Sequence, residues 1–67
     1  MTIFYCNLYV EGMYTSPAKK IEADNALEAL QLFAPNADLS KAIYSDVKAE
    51  LILEQEGNRH EFLVMAG

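Results

Sequence analysis

The chain has 67 residues, a formal net charge of −5, 52% hydrophobic residues, one cysteine and one histidine. That length allows one domain, residues 1–67, with a thin core that buries only about 60% of the surface of the unfolded chain. The composition excludes an internal disulfide, a four-ligand structural zinc, a helical membrane span of roughly 20 apolar residues, and nucleic-acid binding by clustered Lys and Arg.

Residues Thr2 to Val10 alternate. Phe4, Cys6, Leu8 and Val10 share one wholly apolar face, and Ile3, Tyr5, Asn7 and Tyr9 share the other. Aromatic and β-branched residues in this pattern predict a strand. Glu11-Gly12 offers a turn, and a loop is expected through Thr15-Ser16-Pro17. Ala18 to Ala23 reads as a weaker edge strand, with Lys19 and Lys20 discouraging further pairing.

Asp24-Asn25 ends that strand. Asn25 and Glu28 have capping-box spacing. Ala26, Leu27, Leu30, Phe33 and Ala34 then fall on one helical stripe. Pro35 stops the helix after about two and a half turns. A helix this short has to lay its stripe on a sheet.

Ala42 to Glu56 admits two readings. Leu39, Ile43, Val47 and Leu51 recur at helical i, i+4 steps. As a strand, Ile43, Val47, Ala49, Leu51 and Leu53 share an inner face, and Tyr44, Asp46, Lys48, Glu50 and Glu54 share the outer one. Gly57-Asn58 has the composition of a two-residue hairpin loop, which favours the strand, bent or bulged near Ser45-Asp46. In that register Leu53 faces Phe62, Leu51 faces Val64, Ile52 faces Leu63, Glu54 faces Glu61 and Glu50 faces Met65. The expected fold is α+β: an antiparallel four-stranded sheet in the order β-β-α-β-β, with one helix packed on one face.

The other face is left open. It is expected to carry Tyr5, Tyr9, Ile52 and Leu63 as an apolar and aromatic centre, with Ile3 and Met65 beside them. Asp46, Glu50, Glu54, Glu56 and Glu61 are expected to form an acidic stripe and rim. Glu54 opposite Glu61 would place like charges on directly opposed residues, a cost of ~0.2–1 kcal/mol. Exposed patches of this kind mark binding surfaces.

The remaining reactive residues are read as structural. Cys6 lies on the inner face as a small core residue. His60 stands alone at the hairpin end. Glu54 and Glu61 as a glycosidase pair would need a cleft. No catalytic residue, metal or cofactor is expected.

The stretch Lys20-Ile21-Glu22-Ala23-Asp24-Asn25-Ala26-Leu27-Glu28-Ala29-Leu30 resembles a strand-to-helix junction found in many small phage and mobile-element proteins. With the β-β-α-β-β order, the chain looks like some small anti-CRISPR proteins. That resemblance implies an inhibitor and transfers no functional residue.

The partner expected from the charge is a basic surface of a nucleic-acid-binding protein or complex, with no direct nucleic acid and no membrane. The rival expectation is a homodimer that uses up the open face. Met1 opens the chain with no basic n-region or apolar h-region, so a complete protein of the cytoplasm is expected.

Overall fold

A computed structural model describes residues 1–15 and 17–67. The elements are β1 (Thr2–Val10), β2 (Met13–Tyr14), β3 (Lys19–Ala23), α1 (Ala26–Phe33), a 3₁₀ turn at Leu39–Lys41, β4 (Ile43–Tyr44), β5 (Lys48–Gln55) and β6 (Asn58–Ala66). Among the described residues, six strands form one antiparallel sheet in the order β2-β1-β6-β5-β4, and β3 joins β1 on the same edge as β2. The α+β class and the helix on one face agree with the sequence. The sheet has six strands rather than four, because the short hairpin arms β2 and β4 are too brief to show a period. Ser16, part of the expected loop, lies outside the described residues.

The alternation in β1 decides which face is covered. Phe4 and Cys6 are buried beneath the helix, with Ala49 and Leu51 of β5 and Phe62 and Val64 of β6 beside them. From α1, Ala26, Ala29 and Leu30 complete this core. Leu8, Ile21, Leu27, Phe33 and Leu53 pack around it. Phe33 meets Phe62 edge-on at 6.1 Å between ring centroids, within the range of favourable aromatic pairs. Burial pushes the Cys6 thiol up to about 11, against an opposing pull from Lys19. At neutral pH it is therefore a protonated core side chain rather than a nucleophile.

The helix starts where the capping residues direct. Asn25 accepts from the Glu28 backbone N–H at 2.9 Å, and Glu28 reaches back to the Asp24 N–H at 3.1 Å. The Ala26 N–H, which has no intrahelical partner, donates to the Asp46 carbonyl at 3.0 Å. Ala34 closes the last turn on Leu30 before Pro35.

The Ala42–Glu56 segment does not run as one strand, straight or bulged. Its chain reverses at Ser45-Asp46-Val47, so that Ile43 pairs with Glu50 and Tyr44 with Ala49. Ser45 donates to the Lys48 carbonyl at 2.7 Å across this turn. Ile43 and Val47, expected on the inner face, are exposed.

The β5–β6 hairpin also differs from expectation. Its turn is Glu56-Gly57, with φ of 53° and 79°, rather than Gly57-Asn58. Positive φ at both positions is the type I′ geometry that matches strand twist. The register is therefore shifted by two residues. Leu51 faces Phe62, Ala49 faces Val64 and Glu54 faces Arg59. A shift of two keeps every side chain on its expected face, since the strand period is two.

Candidate protein-binding face

The open face can be built row by row from the pairings. Tyr5 of β1 lies between Lys20 of β3 and Met65 of β6, and Lys48 of β5 follows Met65. The next row is Asn7, Leu63, Glu50 and Ile43. The third is Tyr14, Tyr9, Glu61 and Ile52. Arg59 and Glu54 make the fourth.

Adjacent rows are roughly 7 Å apart along the strands. Tyr5, Tyr9, Ile52 and Leu63 thus share one face, as expected. Ile3, Tyr5, Ile52 and Met65 are 45%, 37%, 42% and 48% exposed on it. Ile3, Tyr5 and Met65 adjoin one another, and Ile52 stands two rows away among Glu50, Glu54 and Glu61.

The carboxylates divide differently from the expected stripe. Glu50, Glu54 and Glu61 do share the open face. Glu54 opposes Arg59, and Glu61 opposes Ile52, so the expected like-charge opposition is absent. Glu54 and Arg59 instead form a favourable cross-strand pair. Glu56 sits at the turn tip. Asp46 is at the far end of β5, roughly 25 Å away, where its carbonyl receives the helix N-terminus. Asp46 is thereby removed from the acidic group.

Glu11 joins that group, unforeseen. Its side chain accepts the Arg59 backbone N–H at 2.8 Å, and its own N–H donates to the Arg59 carbonyl at 2.8 Å. Both Glu-Gly turns, 11–12 and 56–57, therefore project from the same end of the sheet. The signal was present as two identical dipeptides, each closing a hairpin.

Two aromatic side chains are held in place. Tyr5 has the Lys20 ammonium 5.8 Å from its ring centroid. Gly67 also lies against this ring, and a side chain added there would meet it. Tyr9 packs against Tyr14 at 5.5 Å between centroids. Tyr14, also unforeseen, extends the aromatic surface to the sheet edge.

Comparisons with protein families, curated proteins and solved structures gave no match. The reading therefore rests on the chain's own geometry. A shallow groove of about 210 Å³ lies at the β4–β5 turn, lined by Ile43, Tyr44, Ser45, Lys48 and Glu50. Small-molecule sites usually enclose ~300–1,000 Å³, so the extended face is better suited to a macromolecule than this groove is to a ligand. No described helix is long and apolar enough to cross a membrane.

The side-chain oxygen of Asn7, in the centre of the face, is shielded from water and accepts no hydrogen bond among the described residues. An unsatisfied buried carbonyl costs about 1–3 kcal/mol. Asn7→Leu, close in shape, is expected to raise the unfolding free energy by about 1 kcal/mol. Urea denaturation measures this, and an unchanged midpoint would mean that the amide finds a partner in solution.

Proposed function

We propose that this chain is a small binding protein, acting as an inhibitor or adaptor. It docks the hairpin end of its open face on a basic, nucleic-acid-binding protein surface. The observation that carries this reading is the placement of Glu50, Glu61 and Glu54 on three successive rows beside exposed Ile52. Tyr9 and Leu63 supply adjoining contact area, and Glu56 and Glu11 extend the negative surface at the turn tips. Carboxylates set around an apolar centre stand in for phosphates against a cationic partner and speed its approach. An inhibitor of the anti-CRISPR kind is the most specific form of this proposal.

The test is a nuclease-treated pull-down with the wild-type chain beside Glu54→Lys/Glu61→Lys. The expected result is capture of a nucleic-acid-binding complex that duplex DNA displaces, that weakens as salt rises, and that the variant loses. Equal capture by both baits, or capture that DNA leaves untouched, would overturn the mimic reading.

A further inference from the structure

The outer side of β5 is only partly covered. The Val47 carbonyl accepts from Ala66 of β6, and the Lys48 carbonyl accepts from Ser45 on the other side. Backbone polar groups alternate between the two edges of an antiparallel strand. Leu51 and Leu53 therefore turn their N–H and C=O groups toward β6. Glu50, Ile52 and Glu54 turn theirs outward, toward β4.

β4 meets only the first of these. Ile43 pairs with Glu50, and the Ala42 N–H then bonds back to Leu39 as the chain leaves the sheet. Among the described residues, no strand lies beyond Ile52 and Glu54, and no backbone hydrogen bond reaches them from that side. Both residues are exposed. Leu39 rests on the core at the helix side, so the approach to this edge is from the open face.

Unpaired N–H and C=O groups along a strand are matched by one kind of occupant, another extended backbone. The side chains nearby set its charge. From Glu50 to Glu61 the hairpin carries four carboxylates, Glu50, Glu54, Glu56 and Glu61, against one guanidinium, Arg59. The outer strand of a second copy fits less well. β3 reads Lys20-Ile21-Glu22, which sets Glu22 opposite Ile52 when Lys20 meets Glu54 in the antiparallel direction.

We propose that a basic segment of the partner joins this edge as an added strand, antiparallel to β5 and continuing the line that β4 begins. A basic residue stands opposite Glu54 and an apolar one opposite Ile52, both on the open face. The residue between them lies opposite Leu53 and turns to the helix side. The proposal rests on the basic-partner reading and adds how the contact is made. Backbone pairing at Ile52 and Glu54 holds the segment, and the carboxylates select it.

The test is amide hydrogen exchange on the full chain, read by NMR. The probes are acetyl-Thr-Lys-Ala-Val-Thr-amide and its counterpart with Glu in place of Lys. In the free chain the Leu51 and Leu53 amides are expected to exchange slowly, and those of Ile52 and Glu54 fast. The lysine peptide, at about tenfold its dissociation constant, is expected to slow Ile52 and Glu54 about tenfold. The glutamate peptide is expected to leave them unchanged.

A synthetic chain with an ester in place of the Glu54 amide lacks the outward N–H and keeps the carboxylate. Urea denaturation checks that it folds. It is expected to bind the lysine peptide at least roughly fivefold more weakly.

No slowing at Ile52 and Glu54, equal slowing by both peptides, or undiminished binding by the ester chain would each overturn the proposal. So would slow exchange at these two amides that grows with the concentration of the chain alone, since a second copy would then hold the edge. The pull-down separates this proposal from the function above. Capture by the ester chain equal to wild type would remove the added strand and leave the basic-partner reading standing.

Discussion

Leu30→Ala is expected to remove about 3 kcal/mol of stability. Leu30 is wholly buried, at the point where the helix meets the sheet. Its neighbours in the core include Phe4, Leu51 and Val64, which belong to three different strands. The helix has only eight residues, and its other buried side chains are alanines. Truncating Leu30 therefore removes the helix's one large fully buried side chain, leaving Leu27 and Phe33 at the margin of the core, and opens a cavity that the alanines cannot fill. A chain of this length has about 3–10 kcal/mol in total, so the loss takes between about a third and all of it and should move the urea midpoint well down.

Leu32→Ala provides the control on the same helix. Leu32 is 57% exposed, and its truncation should cost no more than about 0.5 kcal/mol. Urea denaturation of the pair decides the matter. Equal losses would mean that the helix does not pack by the face described.

The second prediction concerns the β5–β6 turn. Glu56 has φ of 53° and Gly57 φ of 79°. A residue with a Cβ is disfavoured in the left-handed region by roughly 1–2 kcal/mol. Gly57→Ala should therefore destabilise by about that amount. No described atom stands within 4 Å of the added Cβ, so the cost is backbone strain alone.

Glu56→Asn should act in the opposite direction, by about 1 kcal/mol, because Asn-Gly is the favoured pair for a type I′ turn. If Glu56 serves the proposed partner surface, the same variant gains stability and loses affinity. Thermal unfolding and the pull-down together read both effects. A destabilised Glu56→Asn would show that the glutamate makes a local contact that offsets its strain.

These two sites also mark where the sequence is informative. The alternation of Phe4, Cys6, Leu8 and Val10 names the covered face correctly, since burial follows a period of two. Asn25 and Glu28 place the helix start to within a residue, because the cap is a local interaction. The face assignments of Leu51, Leu53, Phe62 and Val64 are correct for the same reason of parity.

The hairpin register is not legible in the sequence. It depends on which dipeptide adopts positive φ, and Glu-Gly competes poorly with Gly-Asn on composition. The reversal at Ser45-Asp46-Val47 is hidden because β4 is only two residues long and carries no period. Those two misreadings produce the expected Glu54–Glu61 opposition and the misplaced Asp46. The membership of Tyr5, Tyr9, Ile52 and Leu63 on the open face is unaffected, since it depends on parity and not on register.

The sheet order has a consequence for how the chain acquires its structure. The central pair joins β1 to β6, the first strand to the last, with Phe4 paired to Ala66 and Val10 to His60. The Gly67 N–H reaches the Ile3 carbonyl at 2.9 Å. This ladder closes nearly the longest loop the chain can form, and such closures slow folding. During synthesis, β1 has only the weak edge strands β2 and β3 as neighbours until residues 58–66 emerge. The helix meanwhile has half a floor to rest on. Native structure therefore arrives late and nearly all at once, and a ribosome stalled before Asn58 would hold a chain whose main hydrophobic strand is paired on one edge only.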